Sequence, residues 1–373
     1  LVGQSWGDNG TRGWLASIDK DSGDENWRTQ MIPDPGEPGH ETWADDHGAY
    51  KTGGASLWVT GSYDPESNLT MWGTGNPVPM FDPEFRPGDN LYSDSVVAMD
   101  VDSGAINWYF QYTPNDYLDY DEVGSHMLYD TEINGETRKV VGHFGRNGFY
   151  YNLDRNTGAF IGGSQYVNEL TWTEGLDPKT GMPLGYDSTK LLQEYIPGTA
   201  PRRGQPAIEA CPHLQGGVNF WPPAYNPELG IAYGASFEGC FAVAPSGKQI
   251  DDPGSVVQGE IFLGGDWDTP RRILGSITGV DVTTTEIATK AMHPFPHYGG
   301  ILATSGNLVF AGLMDGTFAA YDAESLAELW SVNLGGTIKA PPMTYSVDGK
   351  QFVAIMMGGG GSNLVPLQAP ELD

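Results

Sequence analysis

Basic residues are scarce in this chain of 373 residues. It has 19 lysines and arginines against 48 aspartates and glutamates, for a formal net charge of −29. A chain this acidic repels phosphate backbones, so nucleic acid is excluded as an expected partner. Most of the carboxylates are expected on the solvated surface. The remainder are candidates to surround a metal ion or to meet a basic protein partner.

Long apolar runs, haem-attachment motifs and cysteines are also rare or absent. No apolar run is long enough to predict a membrane-spanning helix, and there is no CxxCH motif. The first residues, LVGQSWGDNGTRG, contain neither an initiator Met nor the basic and apolar regions of a signal peptide. We expect either that a leader was removed or that the chain begins inside a larger protein. The two cysteines, Cys211 and Cys240, are compatible with buried free thiols or with a disulfide, and a disulfide would imply an oxidising compartment.

The residues that are abundant indicate β-structure. The 52 glycines and 27 prolines rule out a helix bundle, because both are poor in helix interiors. The 12% aromatic content argues against disorder. The sequence therefore predicts a β-rich globular chain.

A repeat refines this prediction. Segments 15–27, 96–108 and 318–330 each place an alternating strand before an Asp and a polar turn, with a Trp eight positions after the Asp. The related aspartates Asp281 and Asp322 are 41 residues apart in the numbering, which suits one four-stranded propeller blade. We predict a single all-β propeller domain, 1–373, whose repeat tryptophans pack between blades. Independent hairpins in a sandwich are the alternative.

Several polar clusters stand in glycine-rich or proline-rich segments. An acidic segment, TPNDYLDYDE, carries Asp119 and Asp121, which project to one side of an extended chain. Two carboxylates so placed either share a proton or surround a cation. Each of the other candidate residues has an ordinary structural explanation when taken alone. It is the occurrence of all of them in one chain that indicates a functional site. These candidates are Trp58 after a Gly-Gly turn, Asn76 in a GTGNP corner, Arg146 in FGRNG and Asn219 beside Trp221.

These motifs resemble the pyrroloquinoline quinone (PQQ) dependent alcohol dehydrogenases, a quinoprotein family with an eight-bladed propeller. The matching segments span nearly the whole chain, and the GTGNP and TPND…DYD pair is specific to the family. They are GDNGTRGWLASID, PGEPGHETW, GSYDPESNLTMWGTGNP, RPGDNLYSDSVVAMD, WYFQYTPNDYLDYDEVG, GRNGFYYNLDR, PGTAPRRG and CPHLQGGVNFWPPAYNP. At the observed repeat length we expect this chain to hold roughly the C-terminal five blades.

The resemblance also implies roles for individual residues. It implies that Asp119 is the catalytic base and that the metal ligands are Asp8, Asn76, Asp119 and Asp121. Asp8 stands where relatives usually carry Glu, and Asp121 matches the additional acidic ligand of lanthanide-dependent members. The implied cofactor contacts are Ser5, Trp58, Arg146 and Asn219. Cys211 and Cys240 match a structural disulfide of the family.

The function implied is oxidation of an alcohol to an aldehyde in the periplasm. PQQ would be the redox cofactor, with one metal ion, a lanthanide or calcium. The substrate would be a small alcohol or polyol, and a soluble cytochrome c would accept the electrons. A homodimer is compatible with the family. The alternative from another class is a catalytically inactive propeller that serves as a binding or assembly scaffold, which would have no reason to keep the implied site residues together.

Overall fold

The computed structural model describes residues 1–246, 261–358 and 372. Its regular structure is almost entirely β. The first strands are β1 (Val2–Gly3), β2 (Trp14–Ile18), β3 (Glu25–Gln30), β4 (Ser62–Asp64), β5 (Leu69–Gly73), β6 (Ser95–Asp100), β7 (Ile106–Gln111), β8 (Met127–Ile133), β9 (Glu136–Phe144), β10 (Phe149–Asp154), β11 (Phe160–Gln165) and β12 (Ile208–Ala210). The others are β13 (Ala224–Asn226), β14 (Ile231–Glu238), β15 (Phe241–Pro245), β16 (Gly265–Asp268), β17 (Leu274–Asp281), β18 (Ile287–His293), β19 (Ile301–Thr304), β20 (Leu308–Gly312), β21 (Thr317–Asp322), β22 (Glu328–Asn333), β23 (Met343–Val347) and β24 (Lys350–Ala354). Short 3-10 helices cover Gly7–Asn9, His40–Thr42, Ala49–Thr52 and Pro83–Phe85. No helix in the described ranges has the length and apolar character needed to cross a bilayer.

The strands form antiparallel sheets of the kind that make propeller blades. Four-stranded sheets have the orders β4-β5-β6-β7, β11-β10-β9-β8, β13-β14-β17-β18 and β19-β20-β21-β22. A three-stranded sheet, β1-β2-β3, precedes them in the chain, and the hairpin β23-β24 follows them. Within the described residues this amounts to five blade-like sheets and a further hairpin, so the predicted propeller fold is confirmed.

One blade contains an excursion. After β14 the chain leaves the blade, forms β15 and β16 beside β12 in a separate three-stranded sheet, and returns as β17. Cys211, just after β12, is disulfide-bonded to Cys240, just after β14. This bond joins the segment that follows β12 to the point where the excursion begins. The implied disulfide is confirmed.

The repeat tryptophans do not all behave alike. The Trp27 indole Nε1 donates a hydrogen bond to Val101 O at 3.0 Å, in the turn of the next blade. Trp108 is buried against Gly158, where an added Cβ would lie 2.4 Å from the ring. Trp330 remains 50% exposed, and every residue of the following strand β23 is also exposed. Packing between blades therefore holds for the first two tryptophans and is wrong for Trp330.

The repeat aspartates have a local role. Asp19 Oδ1 accepts the Ser22 amide at 2.8 Å, and Asp100 Oδ1 accepts the Ser103 amide at 2.8 Å. These bonds close the tight turn between two strands, a role that suits the short Asp side chain. The pattern thus reflects turn chemistry and is independent of the acidic segment TPNDYLDYDE.

Candidate active site

Arg146 joins the two aspartates of the DYD segment. It lies in the turn between β9 and β10, and the acidic segment lies between β7 and β8. Its Nη2 donates to Asp119 Oδ2 at 2.8 Å and its Nη1 donates to Asp121 Oδ2 at 2.6 Å. All three side chains are less than one-tenth exposed, so these charge-assisted bonds are shielded from water. Asp119 has a φ of 63°, a left-handed conformation that the bonded neighbours must hold in place.

A second segment holds Arg146 from the opposite side. The carbonyl oxygen of Leu214 accepts from Arg146 Nε at 2.8 Å and from Nη2 at 2.6 Å. The Gly217 amide donates to Arg146 O at 3.0 Å. A Cβ on Gly216 would lie 1.9 Å from Arg146 Cγ, so only glycine permits this approach. The guanidinium is therefore fixed by the segment that starts at Cys211.

Asp121 also links this cluster to the GTGNP corner. Its Oδ1 accepts the Asn76 amide at 2.6 Å, which leaves Asp121 turned inward with 7% exposure. The side-chain Nδ2 of Asn76 donates to Pro77 O at 3.2 Å. No described residue donates to Asn76 Oδ1, so that oxygen remains available as a ligand atom.

Asp8 completes a group of three acids around one arginine. It lies in the 3-10 helix Gly7–Asn9, whose position is fixed by a bond from Phe262 N to Asp8 O at 2.6 Å. Burial, followed by the Asp121 charge, raises the pKa of Asp8 to about 7 although Arg146 opposes the rise. Burial likewise raises the pKa of Asp119 well above its ordinary value, against the lowering effect of Arg146. The cluster therefore has an excess of acidic groups that are hard to ionise without a further cation.

The oxygen atoms of this cluster fit a hard cation. In the described chain the one group of three acidic, His or Cys ligand atoms within 4.8 Å of one another is Glu169 with Cys211 and Cys240, whose sulfurs are disulfide-bonded and cannot act as thiolates. No three carboxylate oxygens of Asp8, Asp119 and Asp121 all lie within that distance of one another in the described chain. Ligands at about 2.3–2.6 Å from a calcium-sized ion can lie roughly 5 Å from each other. Asp8, Asp119, Asp121 and Asn76 Oδ1 therefore match a calcium or lanthanide ion in the type of ligand atom they supply.

The remaining residues predicted to contact the cofactor differ in their exposure and in the hydrogen bonds that their side chains already make. Trp58 is 37% exposed and contacts Phe220, with ring centroids 5.6 Å apart, so it presents an aromatic surface. Asn219, beside Phe220, is buried and uses both ends of its amide internally, towards Gln215 O and Phe220 N. Ser5 is exposed just ahead of the Asp8 helix, and its hydroxyl bonds to no other described residue. The structure thus brings Asp8, Asn76, Asp119, Asp121 and Arg146 together. The metal-ligand roles and the cofactor contacts of Ser5, Trp58, Arg146 and Asn219 stay predictions.

Sequence reasoning missed two contributors to the site. The carbonyl of Leu214 is a backbone group and leaves no mark in the side-chain pattern. His143 Nε2 lies 2.8 Å from Glu122 Oε2, within hydrogen-bond distance, and the same Glu122 oxygen accepts the Arg146 amide at 3.0 Å. Glu122 was visible as the last acid of the segment, but nothing in its spacing indicated a bond to Arg146.

A separate cleft of about 820 Å³ lies away from the acidic cluster. Its lining includes Arg28, Asp34, Tyr92 and Tyr109. None of the residues that line this cleft belongs to the Arg146 cluster, so the cleft and the acidic cluster are separate features.

Comparison with known proteins shows the family. The model described as "PQQ: Glucose/ethanol/alcohol dehydrogenase, beta-propeller domain" matches residues 1–165 and 268–353. Quinoprotein alcohol dehydrogenase PedH of Pseudomonas putida is 36% identical, over 90% of this chain and 54% of that protein. Lupanine 17-hydroxylase [cytochrome c] of a Pseudomonas species is 34% identical, over 97% of this chain and 52% of that protein.

Solved structures agree with this result. The quinohemoprotein alcohol dehydrogenase from Comamonas testosteroni superimposes with a TM-score of 0.85 at 29% identity, over 96% of this chain and 54% of that one. A europium-containing methanol dehydrogenase gives 0.84 at 29% identity, over 95% of this chain and 62% of that one. The chain spans about half the length of the curated relatives it matches. Together with the propeller sheets and the buried acidic cluster, these matches show that the chain belongs to the PQQ dehydrogenase β-propeller family.

Proposed function

We propose that the protein oxidises an alcohol to the aldehyde with PQQ and one metal ion, and that Asp119 is the general base. The observation that carries this proposal is the buried cluster in which Asp119 and Asp121 share Arg146. A buried ion pair of this kind is costly to maintain for stability alone, and perturbed carboxylates gather at functional sites. Its occurrence on a PQQ dehydrogenase propeller supports a catalytic role.

The metal ligands in this proposal are Asp8, Asn76, Asp119 and Asp121. Their carboxylate and amide oxygens are what calcium and the similarly sized lanthanides prefer. When bound, PQQ supplies the hydride acceptor and the cation supplies the Lewis acid that polarises it. The excess negative charge of the cluster gives the cation its electrostatic attraction.

Asp119 is suited to remove the hydroxyl proton of the alcohol. Its Oδ2 is held by Arg146 at 2.8 Å, whereas no described residue bonds to its Oδ1. Oδ2 therefore fixes the orientation, and Oδ1, with two lone pairs, is left both to face the cation and to accept the proton. The guanidinium lowers the pKa of Asp119 against the effect of burial and so increases the fraction of the basic form.

The cofactor would be oriented by the aromatic face of Trp58 and by polar groups around it. Trp58 offers an exposed ring for stacking on a planar quinone. Arg146 offers forked donors for carboxylate or carbonyl oxygens. Ser5 and Asn219 complete the proposed contacts, Asn219 after release of one of its internal bonds.

The proposed compartment follows from the disulfide, and the proposed electron acceptor follows from the net charge. We place the protein in the periplasm, where the Cys211–Cys240 disulfide persists. The net charge of −29 favours a basic, soluble cytochrome c as the electron acceptor. A small alcohol or polyol is the proposed substrate, and a homodimer the proposed assembly.

The test is reduction of an artificial dye by the full-length protein after reconstitution with PQQ and either calcium or lanthanum. Asp119→Asn should lower the rate by about 10²–10⁴-fold, the usual contribution of a general base, while the cofactor stays bound. Asp64→Asn is the matched control, since Asp64 is also buried and paired with an arginine, Arg155, at 3.3 Å. An Asp119→Asn rate within about tenfold of wild type would contradict the assignment.

A further inference from the structure

Glu122 occupies a position directly behind the Arg146 cluster. It follows Asp121 in the chain and is 0% exposed. Its Oε2 accepts the Arg146 amide at 3.0 Å and lies 2.8 Å from His143 Nε2. A fully buried carboxylate that bonds to the backbone of another site residue controls where that residue lies.

The acidic segment therefore holds Arg146 at both of its ends. Asp119 and Asp121 bind the guanidinium, and Glu122 binds the backbone amide of the same residue. Three carboxylates within four positions thus set the distance between the Arg146 backbone and its charged group. A shift of the backbone amide would move the guanidinium relative to Asp119.

His143 and its neighbours hold Glu122 in turn. His143 lies on β9 and stacks on His126, with ring centroids 4.0 Å apart and planes 5° from parallel. His126 Nε2 is 3.1 Å from the Tyr112 hydroxyl. All of these side chains are buried, so His143 has little freedom to rotate away from Glu122.

We infer that Glu122, supported by His143, is a positioning residue for Arg146 and, through Arg146, for the quinone cofactor. The inference rests on the proposed function, because it concerns the same site. Glu122 touches neither substrate nor cofactor in this scheme. It acts through the length of its side chain, which brings Oε2 within reach of the Arg146 amide.

Two substitutions separate reach from charge. Glu122→Gln keeps the side-chain length and removes the charge, and its amide oxygen at the Oε2 position can accept from both the Arg146 amide and His143 Nε2. Glu122→Asp keeps the charge but withdraws the carboxylate by one methylene, beyond hydrogen-bond distance of the Arg146 amide. If Glu122 positions Arg146 through the length of its side chain, Glu122→Gln should retain cofactor binding and Glu122→Asp should weaken it.

Glu238 provides the matched control. It is also buried, accepts a backbone amide from Asn168 at 2.8 Å and pairs with a basic side chain, Lys290, at 2.6 Å. Glu238→Gln and Glu238→Asp repeat the same chemistry in a different blade. They report what general destabilisation does to cofactor binding.

The measurement is the dissociation constant of PQQ for the full-length apoprotein in the presence of the metal, followed by tryptophan fluorescence, with thermal stability recorded in parallel. Glu122→Asp should weaken PQQ binding by about 10–100-fold, as loss of an outer supporting bond does elsewhere, while Glu122→Gln stays within about threefold of wild type. Both Glu238 variants should lower thermal stability without changing PQQ affinity. Equal losses in Glu122→Gln and Glu122→Asp, or an equal loss in Glu238→Asp, would overturn the inference.

Amide exchange keeps the test decisive if Glu122→Asp does not fold. The Arg146 amide should remain protected from hydrogen exchange in wild type and in Glu122→Gln. Fast exchange of that amide in Glu122→Gln with unchanged PQQ affinity would overturn the positioning role. Failure of the wild-type protein to bind PQQ would instead refute the proposed function, so the two failures are distinguishable.

Discussion

Adding calcium or lanthanum to the metal-free protein at pH 7 should release protons into solution. The perturbation acts on Asp8 and Asp119, whose pKa values are both raised in the absence of a cation, chiefly by burial. A metal ion binds the deprotonated carboxylates, so it must displace any protons that they carry. Proton release therefore reports directly on whether these aspartates face the ion.

The magnitude follows from the pKa of about 7 for Asp8. At pH 7 this group is about half protonated and contributes about 0.5 proton per ion bound. Asp119, with its pKa well above the ordinary value, adds up to about one more proton. We expect about 0.5–1.5 protons released at pH 7, and an apparent affinity that falls as the pH drops below 7, because both groups then bind protons more fully.

Isothermal titration calorimetry in two buffers of different ionisation enthalpy measures the number of protons directly. Asp8→Asn should reduce the release by at least about 0.5 proton at pH 7, because it removes the Asp8 proton and also the Asp8 charge that helps to raise the pKa of Asp119. Metal binding with no proton release between pH 6 and 7 would refute the reasoning. So would a release that Asp8→Asn leaves unchanged.

Three further predictions address the metal, acid stability and the disulfide. A light lanthanide should activate the PQQ-loaded enzyme better than calcium, and Asp121→Ala should reverse the preference; equal or better activation of the unmodified protein by calcium would contradict this. Burial lowers the pKa of His213 to about 3, so this side chain stays neutral in the folded state while the unfolded chain protonates near pH 6.5, and its contribution to stability should fall as the pH drops from 7 to 4. His213→Asn should remove about 3 kcal/mol of that loss in urea unfolding, and an unchanged pH dependence would contradict the assignment. Replacing Cys211 and Cys240 by Ser should cost about 3–4 kcal/mol of stability on the chain-entropy model. It should also weaken PQQ binding, because the segment that starts at Cys211 holds Arg146. Unchanged PQQ binding would show that Leu214 stays in place without the disulfide.

The fold was predictable from the sequence because its signals are local. A turn that starts with Asp19 or Asp100 is set by neighbouring residues, and the repeated Trp marks the same position in successive blades. Trp330 departed from the prediction because burial depends on what the next sheet supplies, which the repeat itself does not encode.

The site was predictable in part. The spacing of Asp119 and Asp121 indicated a shared proton or a cation, and the family resemblance gave Arg146 only as a cofactor contact and not as the partner of these aspartates. The hydrogen bonds from Arg146 to Leu214 O and to Glu122 depend on the fold, because they join residues that are far apart in sequence. Backbone acceptors carry no side-chain signature, and so these contacts could not be read from the pattern. The internal bonds of Asn219 were hidden for the same reason.

Arg146 changes how the charge of the metal site is counted. The three aspartates carry −3 when ionised, which taken alone favours a trivalent ion. Because the guanidinium bonds to both Asp119 and Asp121, the protein part of the site sums to −2, which a divalent ion already balances. The case for a lanthanide therefore depends on the carboxylates of the bound quinone, which restore the negative excess once the cofactor is in place. It follows that the preference for a trivalent ion should be weaker in the cofactor-free protein than in the PQQ-loaded one, and competition between calcium and lanthanum in the two states measures that difference. An equal preference in both states would show that the aspartates alone select the metal.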